Sequence, residues 1–363
     1  MPHKISWQRL IVVTLASALI SACSINPPEA DFAPPVYPAP PDEPRFVFER
    51  SLRFNTNVEK LTRTEKLRRY ATGGSGEIRG LVKPYGVAAK YGRILVTDTV
   101  QRSVILFDTV NGIYKEFGSE KPAELSKPVG ITISRLNEVF VADVNRQRIA
   151  VFDMRGNFLR LIGGPHLFKR PTGVAVSPNG MKLYVIDTGG VDTNDHYMHI
   201  LDTLTGTLLS TVGGRGTEEG KFNLPLQADT APDNTVYVVD KGNFRIQAFT
   251  QDGKFKRSFG TIGRFPGQFF SPKGISTDKD GNIYVVDTAF GNVQIFDPSG
   301  RLLMVIGERG QSSKPGNYML PAGIDVDETG RVYIVDQFFR KVDVYRPIQQ
   351  KQDDATAQAP TKK

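Results

Sequence analysis

Between Leu81 and Ile348 the apolar residues come in short runs with no sustained helical spacing, punctuated by Gly, Asp, Asn and Pro. The stretch from Gly274 to Gly307 shows the pattern in full. Gly274-Ile275-Ser276-Thr277-Asp278 predicts a short strand, Asp280-Gly281-Asn282 a tight turn, and Ile283-Tyr284-Val285-Val286-Asp287 a buried strand. Asn292-Val293-Gln294-Ile295-Phe296 alternates as a half-buried strand does, Pro298-Ser299-Gly300 turns, and Leu302 to Gly307 completes the unit. Four strands joined by Asp-Gly and Ser-Gly turns make an antiparallel sheet.

The unit recurs. Pro-x-Gly precedes an apolar run ending in aspartate at Pro84-Tyr85-Gly86, Pro128-Val129-Gly130, Pro171-Thr172-Gly173, Pro272-Lys273-Gly274 and Pro321-Ala322-Gly323. A sixth copy, Pro225-Leu226-Gln227, has Gln in place of Gly. The matching acidic ends are Asp98, Asp143, Asp187, Asp240, Asp287 and Asp336, and the Gly/Gln positions step by 44, 43, 54, 47 and 49 residues. Such a period marks a repeat architecture, and a ring of four-stranded blades is a propeller. The expected fold is all-β, a six-bladed β-propeller of four-stranded antiparallel blades spanning residues 45–348. The last copy lacks its outermost strand, because after Lys341 to Tyr345 the chain reaches Arg346-Pro347. Arg45 to Leu52 has no blade of its own and is expected to close the ring from the N-terminal side, leaving no unpaired edge there.

At these residues the chain resembles the NHL-repeat family of six-bladed propellers. The resemblance covers Leu81 to Ile348 and rests on Pro-x-Gly-apolar, then Val/Ile-x-Asp, then an apolar strand ending in Phe-Asp, then apolar-Gly. Phe107-Asp108, Phe152-Asp153, Leu201-Asp202 and Phe296-Asp297 fill the third element, whereas Phe249-Thr250 and Tyr345-Arg346 depart from it. WD-type propellers fit poorly, since Trp7 is the only tryptophan. The resemblance implies a fold and leaves function open, because one fold hosts many activities.

The front of the chain reads as an address. Lys4 and Arg9 precede an apolar stretch, Leu10 to Ile20, too short to span a bilayer. Ile20-Ser21-Ala22-Cys23 resembles the lipobox of bacterial lipoproteins. That resemblance implies a signal peptide over residues 1–22, an acylated Cys23 that partners the lipid bilayer and, with Ser24 following, an outer-membrane place in the cell envelope. Cys23 is the only cysteine, so the chain has no internal disulfide and no cysteine-based metal site. Residues 23–44 hold eight prolines between Ser24 and Pro44 and read as an extended tether. The polar tail 349–363 reads as disordered. Val58, Leu61, Leu67 and Tyr70 suggest a short basic helix over Thr56 to Gly74, packed across one end of the ring. Net charge is +8, or +6 without Lys4 and Arg9. Contact with anionic envelope material is permitted; nucleic acid is not expected as a partner of an exported protein.

Chemistry is sought where the copies differ. The strand-ending aspartates occur in every blade and are expected to bind their own loops and Arg or Asn residues nearby, such as Arg102, Arg146, Arg148, Asn243, Arg245, Asn292 and Arg340. Blade three alone carries a long loop, where Asp192, Asp195 and His196 are weak candidates for holding one divalent cation. Blade four puts Gln227 and Asp229 toward the channel. Arg215, Lys221, Arg264, Phe265, Phe290, Arg309, Lys314, Phe338 and Phe339 gather on the loops of one rim and combine aromatic anchors with charge, as a recognition surface needs.

A non-catalytic role is therefore expected, with a protein, peptide or glycan of the envelope bound at the rim and no cofactor. The alternative is a metal-dependent propeller enzyme, lyase or lactonase-like. A lyase of the amidating type takes zinc from histidines on separate blades, but only His166, His196 and His199 follow the leader, and two share one loop. No Gly-x-Ser-x-Gly elbow or phosphate-binding loop is present.

Overall fold

A computed structural model describes residues 33–60, 64 and 77–348. The expected signal peptide, Cys23, most of the expected helix and the tail lie outside the described residues. Each Pro-x-Gly opens the first strand of a blade, at Pro84–Lys90, Pro128–Ile133, Pro171–Val176, Pro225–Thr230, Pro272–Thr277 and Pro321–Val326. The following strands pair in sequence order, so every blade is an antiparallel meander. The first strands of neighbouring blades pack side by side all the way round, and blade six meets blade one. The protein is a six-bladed β-propeller. Helix among the described residues is limited to Thr64, which is α-helical within the expected helix, and to short 3-10 turns at Asn55–Asn57 and Lys241–Asn243; Val58 is buried.

Six apolar clusters fill the seams between blades. Each seam takes one residue that stands three positions before a hub proline: Leu81, Leu125, Phe168, Phe222, Phe269 and Tyr318, all buried. Burying such a side chain contributes about 1.5–3 kcal/mol. The glycine that ends the preceding fourth strand makes room for it. A Cβ on Gly118 would stand 2.6 Å from the Leu125 side chain, and one on Gly307 2.5 Å from the Tyr318 ring.

Glycines at the hub answer a different need. A Cβ on Gly86 would stand 2.5 Å from Val129 O, on Gly130 2.6 Å from Thr172 O, and on Gly274 2.5 Å from Ala322 O. Each Pro-x-Gly thus lies against the carbonyl of the next blade's x residue, and Gly323 meets Tyr85 in the same way. Side chains staple the ring at the same radius. Thr97 Oγ1 donates to Val129 O (2.8 Å), Thr172 Oγ1 to Leu226 O (2.9 Å) and Thr288 Oγ1 to Pro321 O (2.8 Å).

The N-terminal segment closes the wheel. Phe46–Leu52 pairs antiparallel with Lys341–Pro347, the third strand of blade six. Val36–Tyr37 adds a further strand outside it, and Tyr37 packs edge-on to Tyr345 at 5.7 Å. The expected tether therefore differs from the structure at its end, because Val36–Tyr37 already lies on the propeller. A buried ion pair sits at this closure. Lys341 Nζ meets Asp343 Oδ2 at 2.6 Å with both side chains fully enclosed, and Ser51 Oγ donates to Asp343 Oδ1 at 2.5 Å from the closing strand. Lys341 also lies over the Tyr318 ring at 5.0 Å. Removing one member of such a pair strands the other charge. Asp343→Ala should lower unfolding free energy by about 3–5 kcal/mol in urea titrations, while the double change Lys341→Met/Asp343→Leu should cost clearly less. A single-site loss below about 1 kcal/mol would show that the pair does not hold the closing strand.

Candidate functional site

Loops leading into first strands and loops joining second to third strands share one face of the ring. The strand-ending aspartates organise it from beneath. Asp98 accepts from Val82 and Lys83 N–H, Asp143 from Ser126 and Lys127, Asp187 from Lys169 and Arg170, and Asp240 from Asn223. Asp287 accepts from Phe270 and Ser271, and Asp336 from Met319 and Leu320. All six are buried, so a carboxylate ring open to cations does not form. The expected Arg and Asn partners are found at Asp240, which takes Asn243 Nδ2 and Arg245 Nε at 2.8 Å each. Arg146 and Arg148 turn instead to Glu124.

These anchored loops fix the backbone of the residue just before each hub proline on this face. In blades one to three that residue is basic: Lys83, Lys127 and Arg170. Between blades two and three they border a groove of about 470 Å³ lined by Lys127, Asn145, Gln147, Lys169, Arg170 and Gly190. In blades four to six that residue is Leu224, Ser271 or Leu320, and aromatics stand nearby in the loops. Phe244 and Phe270 pack tilted at 6.4 Å, Phe338 and Phe339 edge-on at 5.1 Å, and Phe270 and Phe338 are about half exposed.

At the centre, the x residues of Pro-x-Gly converge. Lys273 reaches past the small Ala322 of blade six to place Nζ 5.3 Å from the ring centroid of Tyr85 in blade one. Burial lowers the Lys273 ammonium to about 8; nearby Lys241 and Lys83 push the same way and Asp336 opposes them. Burial likewise raises the Tyr85 hydroxyl to about 12, with Arg170 opposing. Deeper in the channel, Asp229 accepts from Thr277 N–H (2.6 Å) and Asp325 from Ala89 N–H (2.6 Å), with Ser276 Oγ 3.2 Å from Asp325. Each carboxyl joins its blade to a neighbour. Burial pushes Asp325 up to about 8, helped by the Asp229 charge, and Asp229 up to about 6. Both touch the lumen, where surface area remains but surrounding solvent is sparse.

The structure distributes the expected site residues unevenly. Arg264, Phe265, Lys314 and Phe338 are exposed on the rim, and Phe290 and Phe339 are half-buried. Three other cations are occupied within the loops. Arg215 donates to Val191 O, Lys221 to Gly213 O, and Arg309 to Thr288 and Ala289 O. Gln227 leans back over Gly173, its Oε1 buried without a hydrogen-bond partner among the described residues. The candidate cation loop is corrected. His196 is buried, its Nδ1 accepting from Leu224 N–H (3.2 Å), which leaves Nε2 to donate to Gly190 O (3.1 Å). Asp192 is exposed and Asp195 half-buried on the same loop. Among the described residues no three His, Cys, Asp or Glu side chains converge as one ion would require. Lys273, Tyr85 and Asp325 were absent from the expected set. The signals were present: Lys273 is the only charged x residue, and Asp325 follows Gly323 as Asp229 follows Gln227.

Comparison with known proteins agrees with this fold. Residues 125–152 match the family model described as NHL repeat, and residues 278–347 match one described as 6-bladed beta-propeller. Human E3 ubiquitin-protein ligase NHLRC1 is 34% identical over 127 residues, which is 34% of this chain and 30% of that protein. The chain thus spans under a third of the length of the curated relatives it matches. A streptogramin B lyase structure superposes with a TM-score of 0.55 at 17% identity, covering 74% of this chain and 94% of the lyase. A gluconolactonase from Xanthomonas campestris gives 0.56 at 17% identity, covering 74% and 87%. These structural likenesses establish the propeller alone.

The channel carboxyls generate a pH test. Below the ordinary aspartate range both states are protonated; as pH rises the unfolded chain ionises first, and the folded state loses stability until Asp325 ionises near 8. The urea midpoint should therefore fall from about pH 4 to about pH 8, and Asp325→Asn should flatten that decline, by about 1.4 kcal/mol for each pH unit crossed. Parallel pH profiles for the two proteins would refute the raised carboxyl.

Proposed function

We propose that this protein is a non-catalytic recognition propeller held at a bacterial envelope membrane by acylated Cys23, binding an envelope protein, peptide or glycan on its loop face. The observation that carries the reading is the division of that face into a basic arc, Lys83, Lys127 and Arg170, and an aromatic arc centred on Phe270 and Phe338. Flat apolar surface supplies anchors and the cations orient the partner. Rim residues Arg264, Phe265, Lys314 and Phe339 extend the aromatic side outward. The lipid anchor and outer-membrane location rest on Ile20-Ser21-Ala22-Cys23 and Ser24.

The placement of the cations favours recognition over mere solubility. Lys127 and Arg170 anchor the loop through their backbone N–H groups, which leaves both side chains outward at the groove. A second reading, hydrolysis or elimination within the channel, draws on the Asp229 and Asp325 pair, since a carboxyl kept protonated near neutral pH can donate a proton. It lacks a reacting partner group as clear as the face above.

Crosslinking in cells followed by purification tests the main reading. The paired change Lys127→Glu/Arg170→Glu should reduce capture of the envelope partner at least tenfold with an unchanged melting curve, and Cys23→Ser should move the protein from the membrane to the soluble fraction. Undiminished capture by the charge-reversed face, or membrane retention without Cys23, would contradict the corresponding half of the proposal.

A further inference from the structure

We propose that the channel mouth between Lys273 and Tyr85 binds an oxyanion, a carboxylate or phosphate group carried by the ligand. This deepens the recognition reading and rests on it. Every other x residue at the hub is uncharged: Tyr85, Val129, Thr172, Leu226 and Ala322. Lys273 alone brings a cation to the point where six blades meet.

Its surroundings leave that cation short of compensation. No ion pair to Lys273 occurs among the described residues, and its nearest company is an aromatic face. The charges that reach it most strongly are, in order, Lys241, the carboxylate of Asp336 and Lys83. Asp336 is itself buried and accepts from Met319, Leu320 and Phe339 N–H groups. A cation held at a poorly solvated site without an ion-pair partner is costly, and a bound anion offsets that cost. Tyr85 contributes beyond its ring. Its hydroxyl stays protonated at neutral pH, since burial raises it to about 12, so it is available as an O–H donor to an acceptor-only anion. Arg170 immediately precedes the hub proline of blade three, and a guanidinium there can supply a planar fork, the geometry that matches carboxylate and phosphate oxygens. The remaining ligand body would then extend over Phe270 and Phe338.

The site also explains the partition of charge within the channel. The acidic pair, Asp229 and Asp325, lies farther along the first strands, two residues beyond the Gly or Gln of its blade. Lys273 lies one residue before the glycine of blade five. An anion at the mouth therefore meets cations first, while burial, by raising both carboxyls, limits the negative charge that builds up behind it.

Sodium phosphate and sodium acetate, each titrated into the full-length acylated protein at constant ionic strength, are the probes. Side-chain nitrogen NMR of the lysines gives the readout. Either probe should move the Lys273 titration midpoint upward from about 8 by about one unit, reflecting a tenfold preference of the anion for the charged form. A response to phosphate alone assigns a phosphate group, and a response to acetate alone a carboxylate. Thermal stabilisation by the effective anion should vanish in Lys273→Gln and survive in Lys273→Arg; melts in anion-free buffer report whether each variant folds. Equal stabilisation of wild type and Lys273→Gln would overturn the proposal, as would a wild type indifferent to both anions. If the wild type ignores both while Lys127→Glu/Arg170→Glu still abolishes partner capture, the anion site fails and the recognition reading stands. Anion binding with capture unaffected by that pair would fail the recognition reading instead.

Discussion

Backbone meets backbone at the hub, and a missing Cβ is what lets it happen. Five of the six first strands carry glycine where the chain lies against the carbonyl of the next blade, so the ring radius is set by main-chain contact rather than by side-chain size. Interiors tolerate little overlap, and an added methyl at such a contact has nowhere to go. Once that radius is fixed, the first strands must splay, the blades must twist outward, and the wedge between neighbours must be filled. The residue three before each hub proline fills it. A glycine at the end of the previous blade clears its path wherever a complete fourth strand precedes it.

The same constraint creates the candidate site. Because the hub glycines have no side chains, the x residues beside them decide what occupies the mouth. Five are neutral, and Lys273 crosses a neighbouring blade to reach Tyr85. Buried aspartates hold the surrounding loops by their N–H groups, so the residues before the prolines are positioned by the fold and free to vary in chemistry. That freedom is used asymmetrically: the residue is Lys83, Lys127 or Arg170 in blades one to three and Leu224, Ser271 or Leu320 in blades four to six, where Phe270 and Phe338 stand exposed nearby. Blade four is the departure. Gln227 lies over Gly173, and Asp229 takes over the joining role by accepting two hydrogen bonds from Thr277 of blade five.

Much of the fold was legible because its rules are local and repeated. Pro-x-Gly, the apolar run and its terminal Asp each report a backbone requirement that no side chain elsewhere can satisfy, and the spare strand Arg45 to Leu52 was visible because blade six was one strand short. The site was less legible, since it depends on which residues face one another across the ring. Lys273 looks like an ordinary exposed lysine until blade one is brought opposite. Conversely Arg215, Lys221 and Arg309 looked free, but their guanidinium or ammonium groups satisfy loop carbonyls, a use that composition cannot reveal. His196 misled for the same reason: its loop is long and polar in sequence, yet it folds back and buries the ring. Val36–Tyr37 docked where proline content suggested only an extended spacer.

Gly130 offers the most direct trial of the hub, because its φ lies outside the left-handed region and alanine there changes only the space available. Equilibrium urea unfolding of Gly130→Ala should show a loss of about 2–3 kcal/mol with the slope of the transition unchanged, the cost of forcing a methyl against Thr172 O. A midpoint within error of the parent protein would mean that the blades have room to spare at the centre, and that something other than main-chain contact sets the ring.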